Sequence, residues 1–340
     1  MPKGAGKNGP KIAAKSRTKD VVRTVLKILF AVALIFWMVN EGALNFGAFR
    51  KLSSPLLISV SILSGFAQLF INNYRWLLLL RAQGFESSIR RTMPLTFIGM
   101  FFNFAMPGGV GGDVIKGYYV LQDHPEKKLA AAMSIFMDRL SGFFVMIAMA
   151  FFAVFFNFSA VTHSKELTSI AIAVTCLFFA FLVFFAVSLS RVLQASWAQR
   201  MFDAVPGGGR LRKVYDILHS YRRAPREFAL AMFLSFVSQS VVVLFIAIVG
   251  HALGETSIPL SVYAFLVPLG FVVQALPISP AGIGVGQAAF YFLFNSYLHR
   301  ESDLGPTAMT VIQLVNFGWG LVGAYFYLHR SRPRALAADA

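Results

Sequence analysis

Five ionisable residues stand where a mostly apolar chain has little reason to hold any. Asp113 and Lys116 follow the run Pro107-Gly108-Gly109-Val110-Gly111-Gly112 and are three residues apart, so they share a face if this arm is helical. Asp138 and Arg139 lie inside the apolar run 129–157, and Arg75 closes the run 55–80. An ionisable group at membrane depth costs about 2.5–3.5 kcal/mol on insertion scales, so each of these needs a reason to be there. One chemistry is a polar cavity in which Lys116 and Arg139 meet a lipid phosphate while Asp113 and Asp138 hold the cations in place. The competing reading is a buried ion-pair network that locks helices together, with Arg75 reaching out to the cytoplasmic interface on its long stem. Asn103, beside the first glycine run, and Gln287, after the second, join the candidate binding set as uncharged polar positions. Asn72, Asn73, Gln239, Gln274, Gln313 and Asn316 are also polar positions within apolar runs, and each is expected to bond between helices.

The elements that must position these residues are membrane helices. The chain of 340 residues is 57% hydrophobic and 14% charged, with 36 Phe and one Cys. A soluble domain carries about 45–50% apolar and about 25% charged residues. Disorder, collagen and a disulfide scaffold are excluded by the same figures. A crossing helix needs about 20 mostly apolar residues, and the apolar runs are too long for strands. The expected class is all-α and polytopic, with full spans at 21–39, 55–80, 129–157, 167–190, 227–249 and 306–328. Two further segments, 94–121 and 259–298, are apolar on both sides of a Gly/Pro break. Residues 1–20 form a basic tail, 191–226 a basic loop with an amphipathic stretch at Leu211–Arg222, and 329–340 a second tail.

The net charge of +16 orients the helices. Cytoplasmic loops collect Lys and Arg. If each interrupted segment crosses once, the loop and tail cations divide 13 to 13. If each is a hairpin that enters and leaves on one face, they divide 22 inside to 4 outside. The hairpin topology puts both termini in the cytoplasm of a cell membrane, with the first hairpin dipping in from the cytoplasm and the second from the opposite face. The second hairpin is weakly fixed by charge, because letting 259–298 cross once still gives 20 to 6.

The two breaks match. Pro107-Gly108-Gly109-Val110-Gly111 aligns with Pro280-Ala281-Gly282-Ile283-Gly284; Pro277 precedes the second, and Gly112 and Gly286 extend the two. Such a pair entering from opposite faces points to an inverted repeat, with a substrate site where broken helices meet near the midplane. The helix N-termini after each break would offer partial positive charge to an anion. The plainer alternative is that these glycines and prolines only let helices turn or pack closely.

Other chemistry finds little support. The six His lie in loops or at segment edges without metal spacing. No phosphate-loop, dinucleotide or nucleophile-elbow motif occurs, so neither a cofactor nor catalysis by this chain alone is expected. The basic loop suits anionic inner-leaflet headgroups better than nucleic acid.

Taken together, Arg75-Trp76, Asn103, PGGVGGDVIK (107–116), Asp138-Arg139-Leu140-Ser141-Gly142 and SPAGIGVGQ (279–287) resemble the lysylphosphatidylglycerol synthase transmembrane-region family of flippase-like membrane proteins, over roughly residues 20–330. The resemblance implies that Asp113, Lys116, Asp138 and Arg139 are the family's polar positions and that the chain moves a lipid. Two departures stand out: Gln287 where the family usually has an acidic residue, and Gly286 where it often has a basic one. The soluble aminoacyl-transferase part of the fused synthases has no counterpart in this sequence, so lipid aminoacylation is not expected. Three readings follow. The first is translocation of an anionic phospho- or isoprenoid-type lipid. The second is a non-catalytic membrane partner of a separate lipid-modifying or glycosyl-transferring enzyme. The third is an ion-coupled small-solute carrier using Asp113 and Asp138.

Overall fold

A computed structural model describes residues 54–104, 110–162, 164–196, 198, 200, 204, 208–276 and 281–329. The expected first span at 21–39, both tails, and Pro107, Gly108, Gly109, Pro277 and Pro280 lie outside the described residues. Every element among the described residues is helical: α1 (Pro55–Ala82), α2 (Ile89–Asn103), α3 (Gly111–Asp123), α4 (Lys128–Phe156), the short α5 (Phe158–Thr162), α6 (Lys165–Leu189), α7 (Gly208–Ser220), α8 (Pro225–Ala252), α9 (Leu260–Gln274), α10 (Val285–Leu298) and α11 (Leu304–His329). Helices α1, α4, α6, α8 and α11 are long and apolar enough to cross a membrane. Each falls within three residues of its expected span. Large apolar side chains cover their outer surfaces, including Phe152, Phe155 and Phe156 on α4, Phe179 on α6 and Phe233 and Phe236 on α8, all more than half exposed. A surface of this kind belongs against lipid tails, not water.

The ends of the helices follow from local chemistry. Pro55 and Pro225 open α1 and α8, because a first-turn residue needs no N–H partner. Both helices run 28 residues, end in Ala, and are followed two residues later by a glycine of positive φ, Gly84 at +74° and Gly254 at +89°. In α6, Ser164 accepts from the Leu167 N–H at 3.3 Å, a normal N-cap. The expected first interrupted segment begins five residues too late: α2 starts at Ile89, and Pro94 lies inside it, where its missing N–H leaves the Arg90 carbonyl without its i+4 donor.

The interrupted segments are helical hairpins. Helices α2 and α9 have 15 residues each, a length of about 22 Å, against the ~30 Å hydrocarbon core. Within the first hairpin, a methyl added at Gly99 would lie 3.2 Å from the Gly112 Cα and 3.4 Å from the Lys116 Cε. Leu95 and Val120 meet further down, so α2 and α3 run antiparallel. In the second, Phe271 meets Phe290 and Tyr263 meets Phe294, and α9 and α10 are antiparallel as well.

The helices form two units that repeat one another. Helix α1 packs on α2 as α8 packs on α9, α3 touches α4 as α10 touches α11, and each unit's last helix lies on the other unit's hairpin, α4 on α9 and α11 on α2. The equivalent helices α1 and α8 form the central seam. Ser238 donates to Asn72 at 3.0 Å and Arg75 to Ser235 at 3.2 Å, so the seam is antiparallel. Antiparallel equivalents mean that the two units are inverted, as the matched breaks lead one to expect. The larger apolar core includes Tyr263, Phe290, Phe294 and Met309 of the second unit, and a smaller core around Leu79, Met137 and Tyr221 seats α7.

A polar tie closes the base of each hairpin. Lys127 Nζ donates to the Gly84 carbonyl at 2.7 Å and lies 5.2 Å over the Phe85 ring. At the other hairpin, Arg300 pairs with Glu255 at 2.5 Å and Ser302 donates to the same carboxylate at 3.3 Å. The Arg300 side chain is 56% exposed, so water and salt screen this pair. The Glu255 side chain is only 11% exposed, so Arg300→Ala leaves a mostly buried carboxylate with Ser302 as its remaining donor and is expected to lower stability by about 1–3 kcal/mol, read as a shift of the unfolding midpoint in detergent.

Candidate functional site

Residues flanking both breaks, among them Asn103, Gly112, Ala275 and Ala281, line one cavity of about 330 Å³. Its wall draws on nearly every element of the two units. Helix α1 supplies Gln68, Asn72 and Arg75, spaced four and three apart and hence on one face. Helix α8 faces them with Ser235, Ser238 and Gln239. Hairpin one adds Asn103, Gly112, Asp113 and Lys116, and α4 adds Asp138, Arg139 and Gly142. From the second unit come Gln274, Ala281, Gln313 and Asn316.

The charges do not pair as their sequence spacing leads one to expect. Asp138 is bound by Arg75, Nε to Oδ1 at 2.7 Å, and the Arg75 guanidinium also donates to Ser235. One cation thereby ties α1, α4 and α8. Arg75 is 9% exposed and does not reach the cytoplasmic interface, which corrects the snorkelling expectation. The physical reason is room: a methyl at Gly142 would lie 3.3 Å from the guanidinium, and its absence lets the side chain turn inward toward a carboxylate. Asp113 accepts from Arg139 Nε at 2.5 Å, which joins α3 to α4. Asp138 and Arg139 are adjacent on a helix and point about 100° apart, so each finds a different partner.

Lys116 is left over. Its Nζ sits 4.9 Å over the Trp76 ring, a cation–π contact. Among the described residues no carboxylate oxygen comes within 4.0 Å of it, and it donates no hydrogen bond. Among the described residues, three cations and two carboxylates line the cavity, and Lys116 is the cation left without a carboxylate partner.

The amides divide between walls and caps. Asn103 Oδ1 accepts from the Gly112 N–H at 2.7 Å, so Asn103 closes the break and occupies a donor expected to face an anion. Gly112 must lack a side chain there, since a methyl would fall 2.6 Å from both that oxygen and the Gly99 carbonyl. Gln287 does not line the cavity. Its Oε1 accepts from the Gly284 N–H at 2.8 Å and its Nε2 donates to Gln313 at 2.6 Å, so it caps α10 and holds a wall residue. Gly284, at φ +80°, makes the turn into α10, and Gly282, at φ +70°, packs on Gln274. Asn73 accepts from Thr96 at 2.8 Å between α1 and α2 and stays out of the cavity, an interhelical bond as expected. Gln68, Thr96, Ser235 and Ser238 also line the cavity, although none of them is marked out in the sequence by charge or by a glycine break. The spacing of Ser235, Ser238 and Gln239, three and four apart along an apolar helix, was the available signal.

No cluster of three or more His, Cys, Asp or Glu able to hold a metal occurs among the described residues. A family described as the lysylphosphatidylglycerol synthase TM region matches residues 24–324. The chain belongs to that family. The family is a membrane domain, and the cavity lies wholly within the matched span. Two UPF0104 membrane proteins of Methanothermobacter thermautotrophicus are similar to it, each 22% identical. One match covers 87% of this chain and 94% of the relative, the other 88% and 91%. No solved structure matches the chain.

Proposed function

We propose that this protein translocates an anionic phospho- or isoprenoid-type lipid, whose headgroup crosses through the cavity while its tails stay in the bilayer. The observation that carries this reading is Lys116, a cation without a carboxylate partner in a cavity walled by both hairpins. Burying a lone charge is costly unless a counter-ion visits it, and an anionic headgroup is such a counter-ion. Asp113 and Asp138 are each held by an arginine, which keeps those cations in place. The hairpins enter from opposite faces of the cell membrane with the termini in the cytoplasm, so the cavity lies between two half-membrane barriers. The sequence carries no nucleotide-binding motif, and the drive comes from a gradient, a partner or downhill flow.

The test is lipid scrambling in proteoliposomes with tail-labelled phosphatidylglycerol. Wild-type protein should accelerate exchange between leaflets, and Lys116→Gln should slow it at least tenfold without moving the unfolding midpoint. Exchange by a folded Lys116→Gln variant at the wild-type rate would sink the proposal.

A further inference from the structure

The two inverted units carry matching fasteners between hairpin and following helix, but of different strength. Asp113 and Gln287 are each the third residue of their arm, α3 and α10. Each bonds to a residue 26 positions further on in the next helix, Asp113 to Arg139 on α4 and Gln287 to Gln313 on α11. Around the second fastener the packing is dense. Helix α10 buries Ala289, Phe290, Leu293 and Phe294 and packs on α9, α11 and α6. A methyl at Gly305 of α11 would fall 2.5 Å from the Phe290 carbonyl, so backbone meets backbone there.

The first unit has no such packing. Helix α3 buries only Gly111, Gly112 and Val120 and packs mainly on α2 and α4. Toward α4, a methyl at Gly117 would meet the Ile135 side chain at 3.3 Å, and the Asp113–Arg139 pair makes the polar contact. That pair is wetter than its neighbour. The Arg139 and Asp113 side chains are 39% and 15% exposed, against 11% and 10% for Arg75 and Asp138. A pair that water reaches opens more cheaply than a buried one. The outer rim of the seam is apolar: among the described residues Val114 and Tyr118 on α3 and Phe136 on α4 are all exposed.

Building on the translocation reading, we infer that the α3–α4 seam is a lateral portal between the cavity and the leaflet on the first hairpin's side, with the Asp113–Arg139 pair as its latch. Both members of the latch line the cavity, and the rim faces the bilayer, so parting the helices joins the two. A headgroup enters through the gap while its tails remain among lipid. Segments with few buried apolar contacts open first, which makes α3 the arm that moves. The matching α10–α11 seam, packed shut, is the fixed side.

The experiment uses the full chain with the exposed Cys176 replaced by Ser. Gly117→Cys with Ile135→Cys pins the seam on oxidation. Oxidised protein should exchange tail-labelled phosphatidylglycerol between leaflets at least tenfold more slowly, and reduction of the same sample should restore the rate, which controls for folding. Exchange that continues at the reduced rate with the seam pinned overturns the portal and leaves translocation standing. Spin labels on Tyr118→Cys and Phe136→Cys read the seam without any transport. In a lipid bilayer they should give two distances about 5 Å apart, the size of a one-turn shift, and Asp113→Asn should raise the longer population at least threefold. Labels on Phe292→Cys and Leu321→Cys, on α10 and α11, should give one distance with or without Asp113→Asn. A single Tyr118–Phe136 distance that Asp113→Asn leaves unmoved overturns the portal whatever the exchange rate, and a second distance on the α10–α11 pair overturns its one-sidedness. Two seam distances in a protein that exchanges no lipid overturn translocation and keep the seam as the way in for another cargo.

Discussion

Asp138→Asn is expected to cost the protein about 3–5 kcal/mol of stability, the range for removing one partner of a buried ion pair. Asp138 is 7% exposed and Arg75 is 9% exposed. The amide keeps the shape of the side chain and loses its charge, so the Arg75 guanidinium stays buried with Ser235 as its remaining neutral partner. Steric crowding does not contribute, since the substitution is isosteric. The measurement is the unfolding midpoint in detergent or the free energy from a denaturant titration. Combining Asp138→Asn with Arg75→Gln should recover more than half of the loss, because the stranded charge, not the missing attraction, is the larger part of the cost. A single variant as stable as wild type would mean that the pair does not anchor the α1–α4–α8 junction.

Gly323→Ala tests the other seam. A methyl at Gly323 would overlap the backbone carbonyl of Phe97 and crowd the Ile98 nitrogen, where the first hairpin's α2 crosses α11. Backbone cannot rotate away as a side chain can, so the helices must separate. Overpacking of this kind costs about 1–3 kcal/mol. The separation would also carry Asp113 and Lys116, on the second arm of that hairpin, away from α4. Lipid exchange should fall along with stability. Gly318 lies on the same helix with nothing within 4 Å of an added methyl. Gly318→Ala should therefore be neutral or stabilising by about 0.5–1 kcal/mol, the helix-interior preference for Ala over Gly. The two variants together separate packing at the crossing from any general effect of losing a glycine in α11.

The repeat was only half legible in the chain. The paired breaks at Gly111 and Gly284 showed in the text of the sequence because turning a helix at membrane depth demands Gly and Pro. The equivalence of α1 and α8 did not show, since lipid-facing and core positions alike accept many apolar residues. Their shared Pro starts, Ala ends and following glycines, Gly84 and Gly254, are among the few common letters. Asn103 and Gln287 looked like ligand groups from the sequence, whereas their first duty in the structure is to cap backbone N–H groups at the breaks.

The sequence by itself determined an all-helical membrane protein, the five long spans among the described residues, and the places of both hairpins. Those properties rest on local lengths of apolar chain and on where lysine and arginine collect, and neither requires knowing which helix touches which. The tertiary structure alone decided how the charges pair. Arg75 reaches Asp138 across 63 residues and Arg139 reaches Asp113 across 26. Which pairs form depends on the rotation and crossing of packed helices, and on the gap that Gly142 leaves for a guanidinium. Once both carboxylates are taken across helices, Lys116, the cation three residues from Asp113, is left without one.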